Sequence, residues 1–314
     1  MKPLASILER IGQTPLLHLS RIAPPGSAAI YAKLESLNPG GSLKDRVAKY
    51  LVEEAEARGK LRPGGTIVEA TAGNLGVSLA LVAAAKGYRA IVVMPEGANP
   101  LLRRLLLQLG AQVVLTPAAE GMGGAGRVAG ELVARNPGYF GPKSFENPAN
   151  PEAHRRTTAR EILQALGNSI AALVAGIGTG GTITGVGEVL KKEVPGVLVI
   201  GVEPARSPLL TRGKAGPHGI PGLGASFIPP ILNRNILDEV IPVGDEEAQE
   251  MTSSLARQEG LVVGPSSGAC LAAALKIAER LGPGKRVVTI FADGGERYLA
   301  LPLAETAEAR HRRL

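Results

Sequence analysis

The sequence holds one cysteine, no tryptophan, four phenylalanines, five tyrosines and four histidines. Each scarcity removes a class of reading. Cys270 alone forms no internal disulfide, and a chain of 314 residues buries enough core to do without one. A reducing, cytoplasmic setting is therefore expected, with Cys270 a small buried residue on an Ala/Leu-rich helix. His18, His154, His218 and His311 stand too far apart to show zinc-ligand spacing, so no metal is expected. The aromatics are too few to stack on bases. The net charge of +7 is scattered over Arg103-Arg104, Arg155-Arg156, Lys191-Lys192 and a tail from Arg310 to Arg313, not gathered in a stripe. Nucleic acid is not an expected partner. Long apolar runs are missing as well. The run at 79–85 stops at Lys86, and Glu9 and Arg10 interrupt the N-terminus, so neither a membrane span nor an export signal is expected.

What the sequence does contain is alternation. Short apolar, β-branched runs at 29–34, 66–69, 90–94, 112–115, 171–175, 197–203 and 286–291 read as strands buried on both faces. Helical patterns lie between them at 45–58, 76–86, 101–109, 151–166, 184–192, 246–259 and 269–281. Strand–helix alternation implies an α/β fold with parallel, twisted sheets covered by helices. Two such series meet at the turn-rich Phe145–Pro151, giving two expected domains, 1–145 and 146–314, with 12–36 a candidate to cross into the second. A ligand is expected in the crevice between them, at strand carboxyl ends. The stretch 209–230, rich in glycine and proline, reads as a long functional loop.

Four loops carry chemistry. Asn38-Pro39-Gly40-Gly41-Ser42-Leu43-Lys44-Asp45-Arg46 delivers Lys44 to a helix start, where the positive end of the dipole disfavours an ammonium and favours a nucleophilic amine. A surface lysine after a turn is the plainer alternative. Glu69-Ala70-Thr71-Ala72-Gly73-Asn74-Leu75-Gly76 puts free N–H groups at a helix start, suited to a carboxylate or phosphate, and an amide that can donate to a phenolate-type oxygen. A capped glycine turn explains it equally well. Gly176-Ile177-Gly178-Thr179-Gly180-Gly181-Thr182 can wrap a phosphate with N–H groups and hydroxyls. It also matches the dinucleotide fingerprint at Gly176, Gly178 and Gly181, with Glu203 as the acid on the next strand, so an NAD-dependent oxidoreductase stays open here. Gly264-Pro265-Ser266-Ser267 offers a hydroxyl to a ring nitrogen, or merely a serine N-cap.

Together the four loops resemble those of the fold-type II pyridoxal 5'-phosphate (PLP) enzymes, the tryptophan synthase β-like group, and within it the cysteine synthase family with its relative cystathionine β-synthase. The resemblance also includes Gln13-Thr14-Pro15-Leu16, Lys33-Leu34-Glu35, Met94-Pro95-Glu96, the NPANP of 147–151, Val202-Glu203-Pro204 and the GERYL of 295–299. It implies that Lys44 carries the cofactor as a Schiff base and moves protons, and that Asn74 bonds the cofactor's 3'-oxygen. Gly178, Thr179, Gly180, Gly181 and Thr182 would hold the phosphate, and Ser266 would meet the ring nitrogen. Thr71, Ala72, Gly73, Asn74, Leu75, Ser144 and Gly222 would line the substrate site. The implied reaction is β-replacement: O-acetyl-L-serine and sulfide give L-cysteine through an aminoacrylate intermediate. Homocysteine as the thiol, or O-phosphoserine as the donor, are alternatives within the family. A catalytically silent amino-acid sensor on the same scaffold is a further one. A homodimer, and docking of a serine acetyltransferase, are implied by resemblance only. The sequence departs from the family pattern at Ala72 and Leu75, where serine and threonine are usual. It departs again at Ser144, usually glutamine, and at Gly294, usually a hydroxyl residue.

Overall fold

The computed structural model describes residues 3–299; the basic tail and His311 lie outside them. Its strands are β1 (Leu16–His18), β2 (Ala29–Leu34), β3 (Thr66–Ala70), β4 (Arg89–Pro95), β5 (Gln112–Thr116), β6 (Tyr139–Phe140), β7 (Ala172–Gly176), β8 (Leu198–Pro204), β9 (Glu239–Val243) and β10 (Arg286–Phe291). They form two sheets, one ordered β1-β2-β10-β7-β8-β9 and the other β5-β4-β3-β6. Every pairing is parallel except β1 with β2. The N-terminal strands thus sit in the larger sheet: β2 runs beside β10 from Ala29–Arg286 to Leu34–Phe291. Central strands such as β7 and β10 are buried almost throughout, which is why they read as unbroken apolar runs.

The helices are α1 (Lys44–Ala57), α2 (Asn74–Lys86), α3 (Pro100–Gln108), α4 (Gly121–Arg135), α5 (Ala149–Ala153), α6 (Ala159–Leu166), α7 (Gly181–Glu193), α8 (Leu209–Arg212), α9 (Asp245–Glu259) and α10 (Pro265–Leu281). A π-helical turn, His154–Thr158, joins α5 to α6 and breaks what the sequence pattern reads as one helix. None of the described helices is long and apolar enough to cross a membrane. One apolar core gathers residues of both sheets with those of α1, α2 and α7. It includes Val47, Leu51, Leu79 and Ile183, so α1 is held between the two sheets.

A buried ionic cluster adds to that hold. The Arg46 guanidinium in α1 meets the Glu35 carboxylate at 2.7 and 2.8 Å and the Glu161 carboxylate in α6 at 2.6 and 2.8 Å. Lys33 donates to Glu161 at 2.6 Å and to the Thr14 carbonyl. Burial alone would raise the Glu161 carboxyl, but Arg46 and Lys33 bring it down to about 2. Arg46, Glu35 and Lys33 are almost wholly inaccessible, and their charges are matched. The N-terminal segment, α1 and α6 are therefore pinned directly beneath the residue that opens α1.

Candidate active site

Lys44 is the first residue of α1, after Leu43, and its backbone N–H donates to the Ser42 hydroxyl at 3.2 Å. The turn before it is fixed from three directions. Asp45, fully buried, accepts from the Gly40 N–H at 2.5 Å and from the Ser78 hydroxyl of α2 at 2.6 Å. The Leu43 N–H donates to the Ala292 carbonyl at 2.9 Å. Arg297 donates to the Gly40 carbonyl, and a Cβ on Gly41 would stand 2.3 Å from that guanidinium, so glycine is required there for space as well as for its φ of +76°. Lys44 keeps a narrow opening to solvent, and its amine hydrogen-bonds to none of the described residues. Desolvation lowers that amine to about 8, and the negative Asp293 nearby pulls the other way. Burial thus lowers the amine in the direction expected from its place at the helix start.

The other three loops converge on this lysine. Asn74 opens α2 from the carboxyl end of β3, with Gly73 as the flanking residue. Its side-chain amide donates to Asp293 at 2.6 Å, and its carbonyl oxygen accepts from Arg297. Thr71 and Ala72 are half-buried and Gly73 is exposed, while the Leu75 side chain turns into the apolar core, away from the cleft. The Gly73 N–H donates to the Thr71 hydroxyl at 3.2 Å, which shapes the turn.

The Gly178–Thr182 loop leads from β7 into α7. Gly180, with a φ of +82°, precedes the helix, and Gly181 and Thr182 form its first turn. Space is as strict as conformation. A Cβ on Gly178 would lie 2.2 Å from the Gly222 carbonyl oxygen, and one on Gly181 would lie 2.0 Å from Asn150 Oδ1. Gly222 is thus brought against the loop by its own backbone. Ser266 is buried in the first turn of α10, and its hydroxyl makes neither a capping bond nor any other hydrogen bond to the described residues. The N-cap alternative for that serine does not describe the site; Ser267 does the structural work, accepting from the Ala292 N–H at 3.1 Å.

Ser144 lies further back. It is buried, and its hydroxyl donates to Glu69 at 3.3 Å. Burial raises the Glu69 carboxyl to about 7 in spite of bonds from the Lys143 and Ser144 segment. Two residues missing from the sequence-based set join the phosphate-type loop to this segment. Asn150 donates to the Ser144 carbonyl at 2.9 Å and to the Thr179 hydroxyl at 3.1 Å. His154 contacts the Thr182 hydroxyl at 3.2 Å through Nε2 and Thr158 at 2.9 Å through Nδ1. Burial, with the positive charges of Lys44 and Arg46, lowers His154 well below the ordinary range, so it stands there neutral. The NPANP segment was the available signal for Asn150. For His154 no motif or spacing in the sequence carries a signal.

The dinucleotide alternative loses its acid. The Glu203 carboxylate is buried and accepts from the Leu210 N–H at 2.8 Å, the Thr211 N–H at 3.1 Å and the Thr211 hydroxyl. It is buried and tethers the loop that follows β8, so it does not face outward to a ribose.

Comparison with known proteins agrees with this geometry. The model of the pyridoxal-phosphate dependent enzyme family matches residues 7–293. A cysteine synthase of Staphylococcus aureus is 50% identical over 303 residues, which cover 96% of this chain and 97% of that protein. Among solved structures, O-ureido-L-serine synthase superposes with a TM-score of 0.94 at 42% identity, covering 98% of this chain and 96% of the other. The O-acetylserine dependent cystathionine β-synthase of Helicobacter pylori superposes with a TM-score of 0.92 at 43% identity, covering 97% and 100%. With a lysine, an amide and a glycine cradle arranged at the strand ends, and with likeness of this extent along nearly its whole length, the chain belongs to the pyridoxal-phosphate dependent enzymes.

Proposed function

We propose that the chain is a cysteine synthase, replacing the acetoxy group of O-acetyl-L-serine with sulfide to give L-cysteine and acetate. The observation that carries this reading is the Lys44 amine: buried enough to sit near 8, free of any hydrogen bond, and placed at the head of α1 with Asn74, the Gly178–Thr182 loop and Ser266 around it.

The residues present suit pyridoxal phosphate. Asn150 Oδ1 is buried without a partner beside Gly181, at a loop whose glycines leave no room for side chains. Gly178–Thr182 would take the phosphate, the Ser266 hydroxyl would take the ring nitrogen, and Asn74 would donate to the ring oxygen. When bound, the cofactor supplies an electron sink for the pair left on the substrate α-carbon. The protein does the rest. Lys44 would hold the cofactor covalently and would be freed when the substrate's own amine takes its place. The freed amine takes the α-proton and later returns one to the same carbon. The Thr71–Gly73 turn and the uncapped N–H groups at the start of α2 would hold the substrate carboxylate. A neutral hydroxyl at Ser266, in place of a carboxylate, would leave the ring less electron-withdrawing and so favour loss of the β-substituent. Movement of the four-stranded sheet with α2 over the cleft would exclude water while the acceptor adds.

A second acceptor is kept for a specific reason. Ala72 has no polar side-chain group, and the Ser144 hydroxyl is turned back onto Glu69, so the wall these two residues would form offers an acceptor no free hydroxyl. Such a wall suits an organic thiol such as homocysteine as well as sulfide. Two finer partner proposals belong to the same reading. Exposed Leu4 and Ile7 support a homodimer contact, which sedimentation tests. A site built for an α-carboxylate supports docking of a serine acetyltransferase C-terminus, which a pull-down with that tail deleted tests.

The deciding experiment is an absorbance spectrum of the purified protein before and after O-acetylserine, then after sulfide or homocysteine. A visible band that shifts with the first addition and is restored by sulfide supports cysteine synthesis. Restoration by homocysteine alone moves the reading to cystathionine synthesis, and no band after incubation with pyridoxal phosphate overturns both.

A further inference from the structure

Asp293 is a buried carboxylate at the site to which the reading above gives no task. It follows β10 and is 2% exposed. Its Oδ2 accepts from the Asn74 amide at 2.6 Å and from the Tyr298 hydroxyl at 2.5 Å. Its Oδ1 is buried with no hydrogen-bond partner and lies against Gly264, where a Cβ would come within 2.2 Å. Its backbone is fixed too: it bridges to Ser42, two residues before Lys44, and its carbonyl accepts from the Gly264 N–H at 3.1 Å, at the start of the Ser266 helix. One residue therefore touches three of the four site loops.

The charged and titratable groups facing it are few. Lys44 faces it from α1, and Glu296, Arg297 and Tyr298 from the turn that follows. Asn74 from α2 and Gly264 before α10 bring no charge.

The amide of Asn74 reads this surrounding directly. A guanidinium only donates and an ionised carboxylate only accepts. Arg297 lies on the amide oxygen and Asp293 on the amide nitrogen. Turning the amide over would set donor against donor and acceptor against acceptor. Asn74 is thus held in one orientation, with a single N–H left to give.

We propose that Asp293 is a positioning residue of the cofactor site: with Arg297 it fixes the Asn74 amide so that its remaining N–H meets the cofactor's ring oxygen, and its charge faces the Lys44 amine. The inference rests on the cofactor reading above and adds to it a residue that holds two of the cofactor's contacts at once.

The test combines a double-mutant cycle with a titration. Asp293→Ala and Asn74→Ala should each weaken pyridoxal-phosphate binding by about tenfold, as loss of a charge-assisted hydrogen bond does. Because they act through one contact, the double variant should bind no more weakly than either single variant. Asp293→Asn keeps the shape and removes the charge. In the full-length protein freed of cofactor, it should make Lys44 acylate roughly threefold faster at neutral pH, since loss of a negative neighbour favours the neutral amine. The wild-type protein must show cofactor binding in parallel; failure there would reject the functional reading itself. With the wild type binding normally, additive losses in the cycle overturn this proposal, and so does an unmoved pH midpoint for Lys44 in Asp293→Asn. If the alanine variant does not fold, the asparagine titration decides.

Discussion

The Lys44 amine, lowered to about 8, sets a pH dependence that separates it from an ordinary lysine at 10.5. An amine titrating at 8 is neutral to roughly one-tenth at pH 7 and about nine-tenths at pH 9. Its rate of capturing the cofactor's aldehyde should therefore rise about tenfold over that interval and then level off. An ordinary lysine is neutral to about 0.03% at pH 7 and about 3% at pH 9, so its rate rises roughly a hundredfold and climbs about eightfold more by pH 10. The assay is stopped-flow absorbance on cofactor-free protein from pH 6 to 10. A simple model amine is run alongside so that the cofactor's own titrations cancel in the ratio. The cause is burial, opposed by Asp293, so the midpoint should resist salt far better than that of an exposed amine. A rate that keeps climbing beyond pH 9 in step with the model amine would refute the argument that burial activates Lys44.

Three further outcomes follow from the same geometry. Lys44→Ala should fold and retain phosphate affinity at the α7 loop but show no covalent absorption band and no turnover; normal turnover would mean another group carries the cofactor. Gly178→Ala should weaken cofactor binding at least about tenfold and cost about 1–3 kcal/mol of stability by overpacking, because the added methyl meets a backbone oxygen at 2.2 Å that cannot rotate aside; wild-type affinity by fluorescence titration would contradict this. Arg46→Met should cost about 3–5 kcal/mol in urea unfolding, as when one partner of a buried ion pair is removed, since Glu35 stays buried and loses its guanidinium; a loss under about 1 kcal/mol would show that the cluster is not holding α1.

The central strands were legible because burial on both faces leaves only one kind of sequence. β2, β7, β8 and β10 all fall where the apolar runs place them, within a residue or two. The pieces that escaped lack that signal. β1 and β6 are three and two residues long, too short to carry a period. β9 contains Pro242, which argues against a strand in isolation, yet at the edge of the sheet its missing N–H costs nothing. α4 begins Gly-Met-Gly-Gly, a poor helix by propensity, and forms because Ala125 and Ala129 pack closely over β3 and β4. The π turn at His154–Thr158 is a matter of packing that no periodicity shows.

The misplaced helix starts have a different origin. Propensity delays α2 to 76, α7 to 184 and α10 to 269, but they begin at Asn74, Gly181 and Pro265. In each case the turn that propensity rejects contains residues of the proposed site: Asn74, then Gly181 and Thr182, then Ser266. A helix whose first N–H groups must face a ligand cannot cover them with a side-chain cap, and none of these three has one. It also needs glycine where the ligand or a neighbouring loop comes close, as at Gly181 against Asn150. The residues that make a helix look late in the sequence are thus the ones that leave its first turn open for binding. Where strand, glycine and hydroxyl meet before an apolar helix, the disagreement between propensity and structure marks the binding surface.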